Sequence, residues 1–151
     1  MQLTSSEIPE FLRSAKSVAI VGISDKPDRP SYGVAKYLLE HSHFDLFFVN
    51  PLLDEVMGQR VYKSLREIPV HIEIVDVFRK PSECLEVLAE SIAIGADAIW
   101  LQLGISVPEV EALGTKAGLK VVMNRCIKID YAGLQLTLCR TECKTGNKLL
   151  S

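Results

Sequence analysis

Positive charge is not in excess in this 151-residue chain, where 17 lysines and arginines face 19 aspartates and glutamates for a formal net charge of −2. A nucleic-acid surface spread over the chain is excluded, and any basic site must be local. No apolar stretch approaches the ~20 residues that span a bilayer. Nor does a basic segment followed by an apolar one open the chain as in a secretory signal. These absences predict a soluble, cytoplasmic protein that engages neither nucleic acid nor membrane. Cys84, Cys126, Cys139 and Cys143 form no paired CxxC units, so no metal site is expected. Hydrophobic residues at 48% supply a core that needs no disulfides at this length.

What the chain does have is alternation. Ile8, Phe11, Leu12 and Ala15 fall at helical spacing, which places a helix within residues 1–16. Ser17–Val21 reads as a buried strand ending at Gly22. Val34, Ala35, Leu38 and Leu39 give one face of a helix with Ser31 as its N-cap. Leu46–Val49 is a second strand, stopped by Asn50-Pro51, and Arg60–Tyr62 a very short third. Ile72–Val77 is then a fourth strand. A helix from about Ser82 follows, with Leu85, Leu88, Ala89 and Ile92 as its buried stripe and Gly95 at its end. Ala98–Leu101 is the next strand. Ser106 and Glu109 have capping-box spacing before a helix that buries Val110, Leu113 and Ala117, and Leu119–Met123 is the last core strand. Residues 127–151 have weak periodicity and are expected to wrap the domain edge.

Strands separated by helices imply βαβ units, a mostly parallel sheet and helices on both faces. The expected fold is α/β, a doubly wound Rossmann-like single domain covering residues 1–151. In such sheets ligands bind beyond the carboxyl ends of the strands, where strand order reverses. That places the crevice between the loop Gly22–Gly33 and the segment Phe78–Pro81. The first offers glycine for close backbone approach, hydroxyls, Lys26, Arg29 and a helix N-terminus; the second offers Phe78 and Arg79. A phosphate-rich ligand suits these groups. The loop lacks the usual dinucleotide fingerprint, because Gly22 is followed by Ile23 and Ser24 and the next glycine is Gly33. The second strand ends in Asn50-Pro51 rather than a ribose-binding carboxylate, which disfavours NAD.

The chain resembles the small standalone CoA-binding proteins related to the N-terminal domain of the succinyl-CoA synthetase alpha subunit. The resemblance rests on Val18–Ser24 with Arg29–Gly33, Val49–Pro51, Ser64–Pro69, Asp76–Pro81, Trp100–Ile105 and Val121–Cys126, in that order. It implies a bound CoA or acyl-CoA. Gly22, Ile23, Ser24, Arg29, Pro30, Ser31 and Tyr32 would cradle the phosphates. Asn50 and Pro51 would border the adenosine, and Phe78 and Arg79 would close over the nucleotide. Gln102, Leu103 and Gly104 would lie toward the pantetheine arm, with Asn124 to Cys126 closing the end of the last strand.

The related ligases use a phosphorylated histidine supplied outside this domain, so binding without autonomous catalysis is expected. His41, His43 and His71 read as surface or capping residues. Cys84 reads as a small hydrophobe. Cys126 reads as a buried structural thiol, with a mixed disulfide to CoA as the alternative. Trp100 reads as core. The other readings are a small NAD(P)-dependent oxidoreductase or nucleotide-binding enzyme on the same fold, and a subunit that delivers CoA to a partner enzyme chain. Leu134, Leu136 and Leu138 read as exposed tail residues and suggest a homodimer.

Overall fold

The structure, a computed structural model, describes residues 1–134. In chain order its elements are α1 (Ile8–Ser14), β1 (Ser17–Val21), α2 (Pro30–His41), β2 (Asp45–Val49), β3 (Glu55–Val56), β4 (Gln59–Tyr62), β5 (Ile74–Val77), α3 (Cys84–Ala93), β6 (Ala98–Leu101), α4 (Pro108–Lys116) and β7 (Lys120–Val122). Residues 127–134 form a further helix, α5. Short 3₁₀ turns at Leu65–Glu67 and Pro81–Glu83 precede β5 and α3 respectively. Among the described residues no helix is long and apolar enough to cross a membrane.

The seven strands run in the order β3-β4-β2-β1-β5-β6-β7. All pair in parallel except β3 and β4, an antiparallel hairpin at one edge. Its turn residues Met57 and Gly58 both have positive φ, 52° and 73°, as a tight primed hairpin turn requires. Two residues are too few to show alternation, so β3 was missed in the sequence, and the strand at Ile74–Val77 is the fifth rather than the fourth. At the opposite edge Gln2 bridges β7 in parallel, and Leu3 N–H donates to the Val121 carbonyl at 2.9 Å. Chain order reverses between β1 and β5, which places the switch point where the alternation predicted it.

Every residue of β1, β5 and β6 is buried, as central parallel strands covered on both faces must be. One apolar layer gathers Ile8, Leu12, Ile20, Leu38, Phe48 and Trp100 beneath α1, α2 and α5. The other gathers Ala19, Val75, Leu88, Ile99, Val110 and Val121 beneath α3 and α4.

Several local expectations are corrected. Ser31 is the second residue of α2 rather than its N-cap, because Pro30, with fixed φ and no N–H, takes the first helical position and Arg29 the cap. For the same reason Pro108 moves the start of α4 past Ser106, and Val107 is the cap. Leu39 is 38% exposed and faces away from the core. On α3 the buried positions are Cys84, Val87, Leu88 and Ser91, while Leu85 and Ile92 are exposed. The 3₁₀ turn at Pro81 leaves Cys84 as the first sheet-facing residue and rotates the stripe. On α4 the buried residues are Val110, as expected, and Gly114, where a Cβ would meet Val121 Cγ2 at 2.9 Å, while Leu113 and Ala117 turn outward. The outward residues of α3 and α4 line a shallow apolar groove.

The expected tail over 127–151 begins as a helix that buries Ile127, Tyr131 and Leu134. Leu134 therefore lends no exposed surface to a dimer. Leu136, Leu138, Cys139 and Cys143 lie outside the described residues.

Candidate functional site

The chain turns sharply after β1 because Gly22 adopts a φ of +89°, which strains any side chain. Its N–H donates to the Val49 carbonyl at 2.9 Å, and Phe78 N–H donates to the Val21 carbonyl at 2.8 Å. Three strand ends are thereby locked together. Over them lies a cleft of about 670 Å³, within the range of small-molecule and cofactor sites.

Of the residues expected at the site, Gly22, Ile23, Ser24, Lys26, Arg29, Pro30, Ser31, Asn50, Phe78, Arg79 and Gln102 line this cleft. Tyr32, Gly33, Pro51, Gly104 and Asn124 stand outside its lining. Tyr32 packs against the core layer beneath α2, and Gly33 is a helix residue with open space around it. Asn124 Oδ1 accepts the Gly104 N–H at 2.7 Å, and both residues have positive φ. That bond joins the two loops at the rim. Asp25, Val34, Leu52, Leu53 and Ile105 line the cleft as well. The loop residues among them carry no distinguishing pattern, and Val34 reads from the sequence only as part of the apolar face of α2. Leu52 and Leu103 are 87% and 64% exposed and form an apolar rim.

The first loop is held from within. Ser24 N–H donates to Ser31 Oγ at 3.0 Å, and Lys26 N–H donates to Ser24 Oγ at 3.1 Å. Ile23 is fully buried and packs in the core layer beneath α2. Asn50 Nδ2 donates to the Ile23 carbonyl at 2.7 Å, and its Oδ1 accepts from Leu52 N–H at 2.8 Å. Its amide thus braces the β1 and β2 loops against each other. Helix α2 starts with no side-chain cap and no acidic residue in its first turn, so its N-terminal N–H groups keep their attraction for anions. Lys26 and Arg29 are exposed beside it.

Arg79 is less free than the sequence suggested. Its Nη1 lies 3.6 Å from Glu83 Oε2, while its buried Nε has no partner among the described residues. Gln102 is 4% exposed, and its Oε1 accepts the Ile127 N–H at 3.2 Å. Its amide nitrogen also faces this region without a partner among the described residues. Half-buried Cys126 is the N-cap residue of α5 and lines the cleft, which the reading of a buried structural thiol did not anticipate. Cys84 lies elsewhere: its Sγ donates to the Lys80 carbonyl at 3.4 Å, and burial pushes its thiol pKa up.

Asp76, given no role at the sequence level, sits at the centre of the sheet in register with Ile20 and Trp100. It is fully buried, and neither carboxyl oxygen has a partner among the described residues. Burial pushes its pKa well above the usual carboxylate range, so the neutral acid is favoured. Trp100 is core as expected, and its Nε1 donates to the Arg125 carbonyl at 2.8 Å. His43 and His71 are engaged by Tyr131 and Asp97 respectively, away from the cleft.

A parallel sheet wound in both directions, with a cofactor-sized cleft at its switch point, defines an α/β Rossmann-like domain. Residues 16–132 match the family model described as "CoA binding domain", and the chain belongs to that family. It is 36% identical over 129 residues to the "uncharacterized protein YneT" of Bacillus subtilis (strain 168), covering 85% of this chain and 95% of that one. It is 26% identical over 150 residues to the "acetate–CoA ligase [ADP-forming] II subunit alpha" of Pyrococcus furiosus, covering 91% of this chain and 33% of that subunit. A solved structure of a "hypothetical protein from Pyrococcus horikoshii OT3" superposes with a TM-score of 0.83 at 40% identity, covering 88% of this chain and 93% of that one.

Proposed function

We propose that this protein binds CoA or an acyl-CoA in the cleft and performs no catalysis of its own. The observation that carries this reading is the convergence of the Gly22–Ser31 loop, the uncapped start of α2 and Arg79 on one cleft. The ligand's phosphates rest on the loop and the α2 N-terminus, where Lys26 and Arg29 supply charge that the acidic chain as a whole lacks. Arg79 exchanges its long contact to Glu83 for a phosphate oxygen, which also gives the unpartnered Nε an acceptor. Leu52 and Leu103 cover apolar parts of the ligand, and the arm that carries the thiol runs over β5 toward Gln102.

NAD suits the site less well. The Asn50 amide is consumed in bracing two loops, and β2 runs into Asn50-Pro51 rather than into a carboxylate that could hold a ribose diol. The similarity to a ligase alpha subunit supports a second role, delivery of CoA to a partner enzyme chain. The deciding experiment is a thermal midpoint measured with CoA and with NAD at equal concentration. A ligand that binds only the folded state stabilises it by RT ln(1 + [L]/Kd), so CoA raises the midpoint and NAD does so much less. A larger shift with NAD overturns the reading.

A further inference from the structure

Cys126 and Gln102 occupy the same stretch of the cleft wall. Gln102 follows β6 and Cys126 follows β7, and the Ile127 N–H next to Cys126 donates to Gln102 Oε1. Adjacent strands lie about 5 Å apart, so this wall stands roughly 10–15 Å along the sheet from the loop after β1. The Gln102 side chain is almost wholly buried, and its oxygen is committed to Ile127. Its amide nitrogen has no acceptor among the described residues, on a side chain that lines the cleft. A donor on so enclosed a residue of the cleft wall is open to a carbonyl oxygen of a molecule bound there. Beside it the Cys126 thiol is free and half-buried.

We propose that Cys126 is a thiol–disulfide exchange site for the disulfide form of the thiol ligand. The inference rests on the CoA reading, because an arm that ends in sulfur and contains amide carbonyls satisfies both groups at once. Gln102 holds an amide carbonyl of the arm and so presents the sulfur to Cys126. The Cys126 thiolate attacks one sulfur of CoA disulfide, and its own proton has passed to solvent. The ligand's sulfur–sulfur bond breaks as the Cys126–CoA bond forms. The other half leaves as the CoA thiolate and takes up a proton. One disulfide is consumed and one is made, so no further oxidant enters. The consequence is a covalently loaded protein that any dithiol reductant returns to the free form.

The test treats the reduced full-length protein with CoA disulfide at mildly alkaline pH and follows intact mass and peptide maps. One CoA per chain on Cys126 is expected, forming about tenfold or more faster than the adduct with glutathione disulfide, because the cleft presents the reacting sulfur. Gln102→Glu, which keeps the acceptor for Ile127 and loses the donor, should slow the reaction. Titration of reduced CoA into Cys126→Ser reports on binding separately. Binding retained in that variant, with no CoA on Cys126 of the wild type, overturns the exchange site and leaves the CoA reading standing. An adduct on Cys84, Cys139 or Cys143 instead, or equal rates with both disulfides, overturns it too. No binding of reduced CoA to either protein overturns the CoA reading itself.

Discussion

A Cβ placed on Gly22 would lie 2.3 Å from the carbonyl oxygen of Phe78. Even a methyl group must therefore push the β1 and β5 loops apart. The sequence suggested that this glycine admits a phosphate; the structure shows that it first admits another stretch of backbone.

Gly22→Val is accordingly expected to lose CoA binding and stability together, rather than binding alone. Strain at the +89° φ and the clash with Phe78 cost about 1–3 kcal/mol or more. Gly33→Ala is the control, since it lies in α2 with open space around it and should gain about 0.5–1 kcal/mol. Thermal midpoints of the two variants check this, and a wild-type midpoint for Gly22→Val refutes the tight contact.

Arg29→Ala should weaken CoA roughly 10- to 100-fold at low salt, because a hydrogen bond to a charged group contributes about 1.5–3 kcal/mol. The loss should shrink at high salt, where the exposed guanidinium is already screened. Calorimetric titration at two salt concentrations decides it. Unchanged affinity at low salt removes Arg29 from the site.

Asn50→Asp should not create an NAD site. The carboxylate cannot donate to the Ile23 carbonyl and is repelled by it, so the variant loses about 1–3 kcal/mol of stability. A rise in NAD affinity with an unchanged midpoint would show that Asn50 is not a brace.

The pH profile of stability should carry the mark of Asp76. Unfolded, its carboxyl releases a proton near pH 4. Folded, burial keeps the proton on, so above that pH the native state binds more protons than the unfolded state. Stability then falls as pH rises, by about 1.4 kcal/mol per pH unit, until Asp76 ionises in the folded protein. Asp76→Asn removes this contribution and should flatten the pH dependence of the denaturation midpoint above about pH 4. The same slope in both proteins would place the carboxyl in a solvated setting.

The mostly parallel sheet and the switch point between β1 and β5 were legible because apolar β-branched runs alternate with helical spacing. Which face of a helix is buried was less legible. On α3 and α4 apolar residues occur on more than one face, and the choice fell to a proline-started turn and to Gly114, whose missing side chain lets α4 approach Val121. At the site, Gly22, Ser24 and Arg29 could be placed from loop position alone. The bracing role of Asn50 and the burial of Gln102 could not, because both depend on carbonyl and N–H groups brought in from distant strands.

The two edges of the sheet determine how this molecule can meet another. An open strand is a template for further strands, and it invites growth by addition of chains. Here one edge ends in the two residues of β3, and residues Gln2 and Leu3 occupy part of the other alongside β7. Few main-chain groups are left to recruit a foreign strand. Assembly by sheet extension is disfavoured on both sides, and recognition falls to the helical faces and the cleft, where side chains rather than backbone select the partner.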